Sequence, residues 1–133
     1  MAGEVSAKRM KFLLDSNMVI ALGLASNEAV RKRAAECDQG DLVTSAVVFC
    51  EVLHGSVRGK PPVVAHLQAL LEEIPVLPFD EQAARAYATL PFKRASYDRL
   101  IAAHALAMNL TVVTGNLGDF ADIPGLMVED WTV

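Results

Sequence analysis

Cysteine is nearly absent from this chain, and the two present, Cys37 and Cys50, are not spaced as paired ligands. That argues against a disulfide framework or a zinc site and suits a reducing cytoplasm. Long apolar runs are missing too. Hydrophobic residues make up 53% of the sequence, yet every apolar run is interrupted well before the roughly 18 residues a membrane span needs. An excess of positive charge is also missing: Lys and Arg number 12 against 16 Asp and Glu, a formal net charge of -4. No overall field therefore holds nucleic acid by counterion release, and such a substrate would need a metal bridge or a local basic patch. Nothing resembles an export signal, an internal repeat or a low-complexity tract.

What is present describes one domain, since 133 residues suffice to bury a core without staples. Residues 1–9 have no apolar period and read as a flexible extension, with the domain spanning 10–133. Short apolar runs at Phe12-Leu13-Leu14, Asp41–Thr44, Pro75–Phe79, Leu110–Thr114 and Leu126–Val128 predict strands, the third edge-like because proline flanks it. Between them lie helical patterns. One continues from Met18, and one runs from about Asn27 to Cys37 with Arg31, Lys32 and Arg33 toward solvent. Another starts at Ala46 behind a Ser45 cap and breaks at Gly55 and Gly59-Lys60-Pro61-Pro62. Val63–Glu73, Glu81–Leu90 and the alanine-rich Leu100–Met108 behind Ser96 complete the set. Strands alternating with helices predict an α/β fold: a central, mostly parallel sheet of four to five strands with helices on both faces.

The chemistry sits where apolar runs end on oxygen-bearing residues. Phe12-Leu13-Leu14 stops at Asp15-Ser16-Asn17, Asp98 opens the alanine-rich helix, and Asn116 with Asp119 follows the fourth strand. Open parallel sheets bind ligands at that carboxyl edge. Each residue also has a structural reading: Asp15 as a cap, Asp98 as a helix-dipole partner, Asn116 and Asp119 as a near capping box. Glu51 differs, because residues apolar all round its helix predict burial on every side, and a carboxylate there gains nothing from capping and needs a partner. Carboxylates brought together repel unless protons or divalent cations intervene, and oxygen-only donors favour magnesium or manganese over zinc. His54, His66 and His104 read as packing or surface residues, and Met108, Met127 and Trp131 as core or end-packing groups.

In these residues the chain resembles a PIN-domain ribonuclease, in particular the VapC-type toxins of bacterial toxin–antitoxin modules. The resemblance runs from Lys11 to Trp131. It passes through Leu13-Leu14-Asp15-Ser16-Asn17, Ser45-Ala46, Glu51-Val52-Leu53, Asp98-Arg99-Leu100-Ile101-Ala102-Ala103-His104-Ala105, Val113-Thr114-Gly115-Asn116, Asp119-Phe120 and Pro124-Gly125-Leu126 to Glu129-Asp130-Trp131. It implies an endoribonuclease hydrolysing RNA phosphodiester bonds with water activated by Mg2+, or Mn2+ in its place. Asp15, Glu51, Asp98 and Asp119 would surround the metal, Asp15 and Asp98 as principal ligands. Ser16 stands where the family more often has threonine; Asn17 and Asn116 would hold the acids by hydrogen bonds. It further implies a cytoplasmic homodimer neutralised by an antitoxin whose tail enters the acidic groove. Lys93, Arg94 and Arg99 flank Asp98 and would receive RNA phosphates, or else form a solvated loop.

Two other readings stay open: a catalytically silent module that keeps the fold and binds a partner, and a phosphatase with an aspartyl nucleophile. The latter wants a second carboxylate two residues after the first, where this chain has Asn17, and a lysine near the last strand.

Overall fold

Leu13 and Leu14 point to opposite faces of one strand and both are fully buried, as are Val112 and Val113, so both faces of the sheet are covered. The computed structural model describes residues 10–91 and 93–133, and the extension expected over residues 1–9 lies outside the described residues. Five strands, β1 Phe12–Leu14, β2 Leu42–Ser45, β3 Val76–Leu77, β4 Thr111–Val113 and β5 Val128–Glu129, run parallel in the order β3-β2-β1-β4-β5. The helices are α1 Ser16–Leu24, α2 Glu28–Ala35, α3 Ala46–Val57, α4 Val64–Glu73, α5 Glu81–Ala88 and α6 Tyr97–Met108, with a 3-10 turn at Leu117–Phe120. The chain steps outward from β1 to β2 and β3, then crosses back to β4. Strand order therefore reverses between β1 and β4, which opens a crevice at their carboxyl ends.

Local chemistry sets the helix ends around that crevice. Asp15 is extended and its carboxylate accepts from the Asn17 and Met18 amides, starting α1 directly off β1. Ser45 starts α3 off β2 by accepting from the Val47 amide, and Ser96 starts α6 by accepting from Arg99. Asn109, left-handed at φ 56, ends α6 before β4. The short β3 is an edge strand, as its flanking prolines require.

Three expectations change. α3 continues through Gly55 to Val57 and gives way at Gly59, whose φ is 91; one glycine costs a helix only about 1 kcal/mol, and the Lys60 amide folds back onto the Gly55 carbonyl. Nor is α3 buried all round: Val48, Val52 and Ser56 are its buried residues, while Cys50 is exposed and Val57 is 65% exposed. It rests on its neighbours by one stripe. Met127 is 68% exposed rather than packed. Trp131, by contrast, is fully buried, edge-on to Phe12, with its indole N–H donating to Glu129 and Arg33 above its ring. Among the described residues no helix is long and apolar enough to cross a membrane.

Of the three histidines read as packing or surface residues, His104 is a core residue. It is 1% exposed, its Nδ1 lies 2.8 Å from Ser45 Oγ, and its ring meets Phe79 edge-on. This contact ties the acid-bearing helices α3 and α6 together. Burial holds the imidazole pKa below its ordinary value, against the opposing pull of Asp80 and the Pro78 carbonyl. The folded protein therefore keeps His104 neutral, and this contribution to stability is lost as pH falls below the unfolded value near 6.5. Ser45→Ala removes both a cap and the histidine's partner, and is expected to lower unfolding free energy by about 2 kcal/mol in urea titrations at pH 7.

Candidate active site

Four carboxylates meet at the crevice, each carried there by a different element. Asp15 leaves the end of β1, Glu51 stands in the second turn of α3, Asp98 in the first turn of α6, and Asp119 in the 3-10 turn after β4. Asp15 is 5% exposed, Glu51 and Asp98 are half-buried, and Asp119 is exposed. Their charges act on one another. Asp98 is pushed up to about 6, first by burial, then by the charge of Asp119 and a hydrogen bond to it, and then by Asp15 and Glu51. Asp15 is raised as well, mainly by burial and to a lesser degree by Glu51, against hydrogen bonds from the Thr114 hydroxyl and the Met18 and Asn17 amides. Among the described residues none of the four forms a salt bridge. Among the described residues the repulsion is not compensated by an ion pair.

Hydrogen bonds fix three of the acids separately. The Ser16 hydroxyl donates to Glu51 Oε1, which supplies the partner that a carboxylate in an apolar helix requires. Asn116 Nδ2 donates to Asp119 Oδ2 at 2.8 Å. Asn17 holds Asp15 through its backbone N–H, at 3.1 Å, while its side chain lies exposed. Thr114 went unnoticed in the sequence reading. Fully buried at the end of β4, it receives the Asn116 amide at 3.0 Å and its hydroxyl bonds Asp15. The signal was available, since a hydroxyl ending an apolar strand is the same pattern that marked Asp15.

The basic residues divide differently from expectation. Arg99 is only 5% exposed: Nη1 donates to Asp122 at 3.1 Å and Nη2 to the Pro91 carbonyl at 2.6 Å. Its role is to hold the loop before α6 against the segment after the 3-10 turn, so although it borders the groove beside Asp98 its guanidinium is already engaged. Lys93 also reaches Asp122, at 3.4 Å, but is 58% exposed, and Arg94 is exposed. Lys93 and Arg94 line an open groove of about 460 Å³ together with Asp98 and Asp119. A second groove of about 300 Å³ adjoins the acids through Ser16 and Glu51. A larger cavity of about 570 Å³, lined by Leu22, Leu42, Leu70 and Ile74, lies at the opposite edge of the sheet and carries none of the four acids.

The donor set is all oxygen, negative and short of protein cations, which fits a hard divalent ion rather than zinc. Among the described residues no three His, Cys, Asp or Glu side chains stand close enough to hold an ion in their present rotamers. Sharing one would require the acids to turn inward, a motion open to the half-buried Asp98 and exposed Asp119.

Comparison with known proteins points one way. The family model for the PIN domain matches residues 12–126. The tRNA(fMet)-specific endonuclease VapC of Salmonella typhimurium is 32% identical over 131 residues, covering 92% of this chain and 98% of that protein. The crystal structure of DNA-bound VapBC from Salmonella typhimurium superposes with a TM-score of 0.80 at 30% identity, covering 92% of this chain and 98% of the other. VapBC2 from Rickettsia felis, solved with a promoter DNA fragment, reaches 0.82 at 23% identity, covering 92% and 99%; it supports the fold alone.

Two outcomes test this geometry. Folding raises the Asp98 pKa from 3.8 to about 6, so between those values the folded protein holds a proton that the unfolded chain has released. Stability is therefore lost as pH rises through that window, and the full penalty remains above about 6. For a half-exposed group, solvent screening reduces the penalty to about 1 kcal/mol. Asp98→Asn is expected to raise the thermal midpoint of the metal-free protein at pH 7.5 and to flatten its decline between pH 4 and 6, measured by calorimetry. Arg99→Ala should do the reverse, lowering unfolding free energy by about 1–2 kcal/mol because it removes the packing and hydrogen bonds of a buried side chain, while Lys93 still reaches Asp122.

Proposed function

The chain belongs to the PIN-domain family, in its VapC group of ribonucleases, and from that premise we propose that it is the toxin endoribonuclease of a type II toxin–antitoxin pair, dependent on Mg2+ or Mn2+. The observation that carries this reading is the convergence of Asp15, Glu51, Asp98 and Asp119 from four elements on the crevice between β1 and β4, close enough for the other three charges to act on Asp98. In this reading Asp15 and Asp98 are the principal ligands, Glu51 a ligand or an orienter of the attacking water, and Asp119 a fourth acid. A cation held there supplies two things: a lower pKa for water at neutral pH and compensation for charge developing on the attacked phosphate. The chain's own residues do the positioning. Ser16 fixes the direction of Glu51, Asn116 that of Asp119, and Thr114 with the α1 amides that of Asp15. Lys93 and Arg94 line the groove beside Asp98 and take RNA phosphates there.

The partner is an antitoxin, as the VapBC structures among the relatives support, and in this reading its tail covers the groove. An antitoxin arginine would pair bidentately with the carboxylates and compete for them with the cation. The same reading includes a cytoplasmic homodimer. On α3, Ala46, Cys50, Leu53 and Val57 fall on one stripe, half-buried or exposed, which supports a second copy as the cover.

Purified protein freed of antitoxin is expected to cleave total cellular RNA with manganese, to stop with EDTA, and to stop on Asp98→Asn. Intact RNA in every lane, from folded protein whose manganese binding is confirmed by calorimetry, would leave a silent partner-binding module instead.

A further inference from the structure

The groove on the Glu51 side of the acids is bounded by α1, α3 and the turn that follows α3, and its lining includes Ser16, Ile20, Glu51, Val52, Lys60 and Pro61. Lys60 is placed there by the backbone. Its amide donates to the Gly55 carbonyl at 3.0 Å, and a Cβ built on Gly55 would meet the Cβ and Cδ of Lys60 at 3.7 Å. The lysine stem thus lies across the glycine face of α3, one turn beyond Glu51, and the exposed residue lines the groove. Among the described residues Lys60 forms no salt bridge. Ile20, Val52 and Pro61 give the same groove an apolar lining.

We infer that this groove binds one nucleotide of single-stranded RNA beside the scissile bond, with Lys60 taking the backbone phosphate and Ile20 and Pro61 carrying the unstacked base. The inference rests on the ribonuclease reading and extends it to a second wall of the site. With Lys93 and Arg94 on the Asp98 side, the strand meets a cation on each flank of a centre that otherwise repels it. Charge complementarity favours a phosphate over a neutral ligand, and continuity through Ser16 and Glu51 joins the groove to the acids. Unpaired bases are what such a narrow, partly apolar groove accepts, since a duplex hides their faces.

The test uses Asp98→Asn protein, which should hold RNA without cutting it, and a short fluorescent single-stranded RNA of mixed sequence in magnesium buffer, with affinity read by anisotropy across a salt series. Adding Lys60→Met keeps the stem over Gly55 but removes the charge. It is expected to weaken binding severalfold and to reduce the slope of log affinity against log salt by about 0.7, one phosphate contact on a single strand. Lys60→Arg should restore both, and an unchanged thermal midpoint in all variants would exclude a folding effect. If Lys60→Met binds with the affinity and salt slope of its parent, the groove is not a phosphate site and the inference fails while the ribonuclease reading stands. If the folded parent binds no RNA and the wild-type protein in the same magnesium buffer neither binds nor cuts it, the ribonuclease reading fails and takes the groove with it.

Discussion

Carboxylates that share a small, partly dry space repel one another, and the upper half of this molecule is arranged around keeping four of them there. Asp98 is pushed up to about 6 because burial and three other acids act on it together. Holding such a cluster requires a scaffold stiff enough to resist spreading. The parallel sheet provides it: β1 and β4 are buried on both faces, and their carboxyl ends present Asp15 and Thr114 side by side through the Leu14–Val113 register. Function is stored here as electrostatic strain that a bound cation would relieve.

The same groups that shape the site also start the helices. Asp15 caps α1 and belongs to the acidic cluster; Ser45 caps α3 while bonding His104 on α6. These double uses tie the position of Glu51 to that of Asp98, because the helices that carry them meet at the buried serine–histidine contact. Arg99 secures the loop before α6 from the other side. A disturbance of the core at this point is therefore also a disturbance of the site's geometry.

Much of this was legible in the sequence, for reasons that are local. An apolar strand ending abruptly on Asp15 identifies a carboxyl edge, and Ser45, Asp80 and Ser96 each begin a helix as their side chains predict. What was not legible depends on partners distant in the chain. Arg99 beside Asp98 looked like a phosphate ligand, and only the proximity of Asp122, 23 positions on, shows it to be buried and engaged. Glu51 needed a partner that spacing alone could not name, and Ser16 is 35 residues away. The apolar sequence of α3 implied burial on every side, whereas the fold covers one stripe and leaves Cys50 and Val57 exposed. Lys60 drew no notice because nothing in its local pattern shows that Gly55 lets its stem cross the helix.

The central claim is that the four acids form one coupled site, and a carboxyl carbon NMR titration of Asp98 tests it most directly. The account predicts titration near 6 in the metal-free protein, a shift toward ordinary aspartate values in Asp119→Asn, and a fall to lower pH when Mg2+ is added. An Asp98 that titrates near 4 in all three samples would contradict it.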